Sequence, residues 1–223
     1  MENIAPQVVF TLFNIPVRDT VVSTWVVMGL ITLIAILIGR RQPVMLEILV
    51  DFLTDLISDL MGRPAGPYLP LLGALAIFIA VANIIGIVPF LRSPTSDINL
   101  TLALALVVFL SVHFFGIRNK GFSGYLRDLA SPIFLLPLEL IGQLSRTLSL
   151  TLRLFGNTLS AMLIVAIIFS LAPLFVPLPL IAFGIFTGIL QAYIFTALAA
   201  VYIASGLEVI EPNKDEAKEK RKE

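Results

Sequence analysis

Three observations predict an all-α integral membrane protein with about five membrane helices and one interfacial amphipathic helix. First, 58% of the 223 residues are hydrophobic and only 13% are charged, with a mean hydropathy of +0.99. Soluble domains of this length carry about 25% charged residues. Second, apolar runs close to the roughly 20 residues that cross a hydrocarbon core begin at Thr20, Tyr68 and Leu100, and a longer, broken apolar region fills Ser131 to Gly206. Third, the runs lack the alternating pattern of a barrel, and open sheet edges cannot face lipid, so the spans are helical.

The elements follow in chain order. The opening MENIAPQVVF holds an acid and a proline and no basic segment, so the first span, 20–39, is expected to stay in the mature protein. Next comes VMLEILVDFLTDLISDLMG, where Glu47, Asp51, Asp55 and Asp59 recur at every fourth residue among apolar ones. That spacing draws one acidic stripe on an amphipathic helix, 43–60, lying along the interface. The stripe reads either as a solvated face or as a docking face for basic partner helices, since like charges at i, i+4 repel. The second span is 68–90 and the third 99–117. Region 130–207 forms a hairpin of two long, tilted helices turning at APLFVPLP, with Pro173, Pro177 and Pro179. The charged tail, 212–223, is expected to fray in water.

Charge orients these elements. Of the fifteen basic residues, eleven fall on one side: Arg40, Arg41, Arg63, Arg118, Lys120, Arg127, Lys214, Lys218, Lys220, Arg221 and Lys222. Arg18 and Arg92 fall on the other, and Arg146 and Arg153 in the membrane. The positive-inside rule then makes the N-terminus external and the C-terminus cytoplasmic. With no cysteine and His113 as the single histidine, disulfides, thiolate chemistry and clustered zinc ligands are excluded, though carboxylate metal sites are not.

The chemistry concentrates in TLSLTLRLFGNTLS, residues 147–160. Glu139, Gln143, Arg146, Ser149, Arg153, Asn157 and Ser160 follow one another at spacings of three or four and share one helix face. The row extends roughly 30 Å, about the hydrocarbon thickness. Polar groups at such depth face a bundle interior, another subunit or a water-filled cavity. A guanidinium cannot shed its proton to ease burial. Residues 143–170 contain no carboxylate, and Glu139 stands roughly 21 Å from Arg153 along a straight helix. Two readings stand: a buried anchor satisfied by carbonyls, Asn157 and Gln191, or a cation whose counter-charge comes from a different polypeptide.

The run SLTLRLFGNTLS, together with LQAYIFTALAAVYI at 190–203, resembles subunit a of the F-type ATP synthases, the stator component facing a rotating c-ring. SPTSDINLTLALAL at 93–106, IRNKGFSGYLRDL at 117–129 and LLPLELI before the arginine agree in order, so the resemblance covers nearly the whole chain from the first span to Glu208. It implies that Arg153 is the family's essential arginine, Asn157 its neighbour, Gln191 the glutamine of the last helix and Glu139 an acid of the arginine helix. Asp97 and Asn99 match polar positions of the external loop. Each c-subunit carboxylate then passes Arg153, and two offset half-channels load and unload its ion.

Further polar groups available to line those half-channels are Arg146, Ser149, His113, Thr187 and Glu208, with Ser111, His113, Thr187 and Asp97 serving the external one. Many proton-carrying relatives hold an acid nine positions after the arginine, or a histidine seven before the glutamine; here Met162 and Gly184 stand there. The coupling ion, selected mainly by the c-ring, is expected to be the proton; the missing relay makes sodium the alternative, since its passage needs no titrating group. A secondary transporter or channel is the rival class, but no repeated halves are found. Expected partners are the c-ring, peripheral-stalk b subunits and membrane lipid, in a bacterial inner membrane. No cofactor and no nucleic acid are expected. The absence of G-x-x-x-x-G-K-[ST] argues against nucleotide binding by this chain.

Overall fold

The computed structural model describes residues 8–12, 15–41, 43–86, 92–129, 136–171 and 177–207. A two-stranded hairpin, β1 (Val8–Leu12) and β2 (Ile15–Arg18), leads into α1 (Asp19–Arg41), α2 (Pro43–Met61) and α3 (Leu69–Ile85). A 3-10 turn (Pro94–Ser96) follows, then α4 (Ile98–Leu129), α5 (Leu136–Leu171) and α6 (Pro177–Leu207). The architecture is all-α and membrane-embedded: α1, α4, α5 and α6 are long and apolar enough to cross a bilayer, and α3 is a shorter apolar helix.

The hairpin departs from the helical expectation. Its strands pair antiparallel, Val8 opposite Arg18 and Leu12 opposite Ile15. The β-branched residues of VVFTL and IPVR favour strand, in segments too short to stand out beside 20-residue runs. Helix α3 ends at Ile85 instead of 90, where the N–H of Gly86 turns back to Ile84 O; 87–91 lie outside the described residues. Helix α4 runs past 117 to Leu129 as two segments joined at Gly121, whose φ of 73° and ψ of 161° break the helical path. At 1.5 Å per residue, α5 and α6 are about 54 and 46 Å long, so each must tilt in or project from a ~30 Å core. Pro173 and the tail 212–223 lie outside the described residues.

The core forms around α6. Phe195, Ala199 and Ile203 of α6 are fully buried against Ile57 of α2, Leu72 and Ile79 of α3, Val108 of α4 and Leu154 of α5. Small residues permit that crowding. A Cβ at Gly188 would stand 2.9 Å from Asn83 Cβ, and one at Gly206 2.8 Å from Val112, so α3 and α4 approach the α6 backbone directly. Helix α1 joins at the edge through Val27, packed on Ala82 and Ile85. Helix α2 turns Leu53, Ile57 and Met61 inward and leaves Glu47, Asp51, Asp55 and Asp59 exposed. The least covered long helix is α5, with 6% of its most apolar stretch buried against 28% for α4 and 22% for α6.

Candidate functional site: the open face of α5

Two faces of α5 differ in how they treat polar groups. On the inner face, Thr147 and Thr151 are buried and donate to Gln143 O and Thr147 O at 3.0 and 2.9 Å, so their hydroxyls are satisfied within the helix. Leu150 and Leu154 complete that face, both nearly inaccessible. The adjoining face carries the polar row. Arg146, Ser149, Arg153 and Ser160 are exposed; Glu139, Gln143 and Asn157 are half-buried.

The two arginines of the row are in different states. Arg146 Nη1 stands 4.0 Å from Glu139 Oε1, and its guanidinium lies 5.6 Å from the centre of the Tyr202 ring on α6. Gln143 Nε2 donates to the same Glu139 oxygen at 3.2 Å. Arg153 is exposed and forms neither hydrogen bond nor ion pair among the described residues. Gln191, 5% exposed on α6, has an unpartnered Nε2, and Asn157 bonds nothing among the described residues. Among the described residues Arg153 bonds neither Asn157 nor Gln191, the two side chains that a buried anchor would use.

Beside Arg146 a narrow cleft opens between α4, α5 and α6, with about 20 Å³ open to water-sized molecules. Its polar lining is His113, Gln143, Arg146, Thr147 and Tyr202. Gln143 Oε1 is buried and lacks a hydrogen-bond partner among the described residues. His113 is held as a packing residue: its Nδ1 lies 2.8 Å from Phe109 O, and its ring sits against Phe109 and Tyr125.

Asp97 occupies the other end of α4 and belongs to a lock between chain segments. Its Oδ1 accepts from the backbone N and Nδ2 of Asn99, both at 2.9 Å, which caps the helix. Its Oδ2 accepts from Thr20 Oγ1 at 2.8 Å and lies 3.6 Å from Arg18. Arg92 and Asp19 pair nearby at 3.2 Å. Sixteen residues of helix, about 24 Å, separate Asp97 from His113. Thr187 donates to Gly184 O at 3.1 Å, and Ser111 to Val107 O. Gly184 faces open space and Met162 is half-buried. Glu208 lies outside the described residues.

A second polar cluster was not among the expected site residues. Asn83 of α3 donates from Nδ2 to Gly188 O at 2.9 Å, and its Oδ1 accepts from Thr95 Oγ1 at 2.6 Å. Thr95 also touches Ser93 Oγ at 2.7 Å and Thr158 Oγ1 of α5 at 3.1 Å. Its one sequence signal was Asn83, the lone amide of the second apolar run. No group of three or more His, Asp or Glu side chains able to hold a metal occurs among the described residues.

Comparison with known proteins places relatives beside this geometry. The family model described as ATP synthase A chain matches residues 21–204. The chain is 44% identical to ATP synthase subunit a 2 of Bradyrhizobium sp., over 88% of this chain and 93% of that one. It is 42% identical to ATP synthase subunit a 1 of Crocosphaera subtropica, over 87% and 89%. Subunit a 2 of Pelobacter propionicus is 39% identical over 96% of this chain and 97% of its own length.

Proposed function

This chain belongs to the ATP synthase A chain family, and from that premise we propose that Arg153 is the fixed cation past which the carboxylates of a c-subunit ring travel. The observation that carries this reading is the state of Arg153 itself: exposed, unpaired, and set in the least covered apolar helix. A lone guanidinium at membrane depth costs about 3 kcal/mol or more. A succession of carboxylates from outside the chain relieves that cost.

The chemistry follows from the charge. A ring carboxylate within a few ångströms of Arg153 is favoured in its ionised form and gives up its ion. The ion departs through a half-channel on one flank, and another boards from the opposite flank after nearly a full turn. A second cation crossing directly between the paths meets repulsion in a low dielectric, so Arg153 also blocks leakage. Each unit charge moved through 100 mV supplies about 2.3 kcal/mol to rotation and ATP synthesis.

Asn157, one turn on, holds its amide toward the passing ring, and the family resemblance sets Gln191, buried on α6, near the arginine. The cytoplasmic half-channel follows Ser149, Arg146, Gln143, His113 and Glu139, with Glu208 at its mouth. The external one approaches between α3, α5 and α6, past Thr187, with Asp97 and Asn99 fixing its rim. The N-terminus is external and the C-terminus cytoplasmic, in a bacterial inner membrane. The acidic face of α2 suits basic segments of peripheral-stalk b subunits. The coupling ion is the proton; sodium is the second reading, favoured by Met162 and Gly184 at the relay positions. Arg153→Ala is expected to abolish ion-coupled ATP synthesis while the complex still assembles. Synthesis at a near-normal rate in that variant would overturn the reading.

A further inference from the structure

The packing that holds the His113 ring also decides which of its nitrogens can act. A backbone carbonyl only accepts, so Nδ1, 2.8 Å from Phe109 O, carries the proton of the neutral ring. Nε2 then keeps its lone pair, and it makes no hydrogen bond among the described residues. Phe109, 4.4 Å away between ring centres, and Tyr125, at 5.9 Å, hold the ring in place. Gln143 is oriented by the same logic. A carboxylate accepts, so the amide turns its nitrogen to Glu139 Oε1 at 3.2 Å. Oε1 is thereby left as a buried acceptor with no donor among the described residues, an arrangement that folded proteins normally avoid.

His113 and Gln143 line one cleft, together with Arg146, Thr147 and Tyr202. Its open volume is about 20 Å³, and about 10–15 Å³ of such space admits one water molecule. The groups that face His113 from its neighbours are Arg146 of α5, backed by Glu139, Tyr202 of α6, and Tyr125 beyond the Gly121 turn of α4. Among these side chains an imidazole is the kind that takes up and yields protons near neutral pH, whereas a guanidinium keeps its charge and amides and hydroxyls stay neutral. Arg146 stands seven residues before Arg153, about 10.5 Å along α5.

We propose that the cleft binds a water molecule between Gln143 Oε1 and His113 Nε2, and that His113 is a proton relay of the cytoplasmic half-channel. The relay rests on the proton-translocating reading given above. The water donates to Oε1 and Nε2 and accepts from Arg146 or Tyr202, which gives it the two to four polar partners it needs. A proton released by a ring carboxylate at Arg153 reaches this water, which passes one proton to Nε2, where the lone pair forms the new N–H bond. The imidazolium then gives that proton to the next water on the Glu139 side, and Nε2 recovers its lone pair. Nδ1 keeps its own proton and its bond to Phe109 O throughout. The charge of Arg146 keeps the imidazolium short-lived, and the carboxylate of Glu139, one turn nearer the start of α5 than Gln143, draws the proton outward.

The test uses the complete complex in liposomes, with ATP synthesis driven by a potassium diffusion potential and no pH difference, so that added weak bases do not discharge the driving force. His113→Ala is expected to slow synthesis several-fold at equal amounts of assembled complex. Imidazole in the medium is expected to restore part of the rate, and pyrazole, of the same size and far less basic, to restore none. Restoration by both would show that the space only needs filling, and restoration by neither that no proton passes at this position. Either result overturns the relay, as does unimpaired synthesis in His113→Ala. If His113→Ala does not assemble, Gln143→Met, which keeps the bulk and loses the acceptor for the water, is expected to slow synthesis several-fold and to raise the ratio of rates in light and heavy water; an unchanged ratio overturns the site. Synthesis in the parent complex that requires sodium and still disappears in Arg153→Ala overturns the relay alone, and coupled synthesis persisting in Arg153→Ala removes the function on which it rests.

Discussion

Glu139 Oε1 and Arg146 Nη1 lie 4.0 Å apart on one face of α5, and this pairing leaves Arg153, seven residues further on, as the uncommitted cation of the row. The pair is half exposed, so the ion pair itself contributes about 0–1 kcal/mol. The Tyr202 ring beneath the guanidinium adds about 0.5–1 kcal/mol. Arg146→Gln is therefore expected to lower stability by less than about 2 kcal/mol and to leave ATP synthesis slowed but coupled. Arg153→Gln, which removes no hydrogen bond or ion pair among the described residues, is expected to abolish coupling with the fold intact. Synthesis rates in membrane vesicles, compared at equal amounts of assembled complex, check the contrast. Equal losses in the two variants would end the distinction between them.

Asp97 is expected to act through the fold. Removing its carboxylate deletes the cap on α4, worth about 1 kcal/mol, and leaves the buried Thr20 hydroxyl without its acceptor, at about 1–3 kcal/mol. Asp97→Ala should lower the melting temperature and yield of the assembled complex by far more than Asp97→Asn, which keeps a capping oxygen. Specific activity per assembled complex should change little. A lost activity at unchanged melting temperature would assign Asp97 to ion passage instead.

What the sequence disclosed and what it withheld divide along one physical line. Periodicity tells which face of a helix is polar, and so the row from Glu139 to Ser160 was legible, as was the absence of a counter-charge near Arg153 within 143–170. Periodicity does not tell which helix that face meets. The Asn83–Gly188 bond spans 105 residues and the Thr95–Thr158 contact 63, and neither is encoded in any local spacing. His113 could be read as intramembrane, but its separation from Asp97 required the unbroken run of α4 between them. The early end of α3 at Ile85 had no signal beyond Gly86, one glycine among several in apolar runs.

The crossing of α3 and α6 should be sensitive at Gly188 and tolerant at Gly184. A Cβ at Gly188 would lie 2.9 Å from Asn83 Cβ, forcing the helices apart and straining the bond to Gly188 O, whereas one at Gly184 meets nothing within 4 Å. Gly188→Ala is expected to cost about 1–3 kcal/mol. Gly184→Ala should be neutral or stabilising by up to about 1 kcal/mol through better helix propensity. Thermal unfolding of the purified complex, followed by the temperature at which this subunit is released, compares them. Indistinguishable variants would mean that the close crossing does not limit stability.

Gly121 positions Tyr125 through its backbone alone. Its φ of 73° and ψ of 161° fall in a region essentially reserved for glycine, so Gly121→Ala is expected to cost about 1–3 kcal/mol. The turn it makes folds Tyr125 back until its ring covers Gly116 and stands 5.9 Å from the His113 ring, leaving Tyr125 only 8% exposed. The chain contains no cysteine, so Tyr125→Cys introduces a single reporter thiol. Its reaction with a hydrophilic maleimide should be slow in the otherwise unchanged protein and several-fold faster when Gly121→Ala is added. Gly62 has a φ of 63° in the loop after α2. Gly62→Ala strains its own turn by about 1–2 kcal/mol and should leave the labelling rate at position 125 unchanged. Equal rates with and without Gly121→Ala would show that Tyr125 is held by its side-chain contacts and not by the backbone at Gly121.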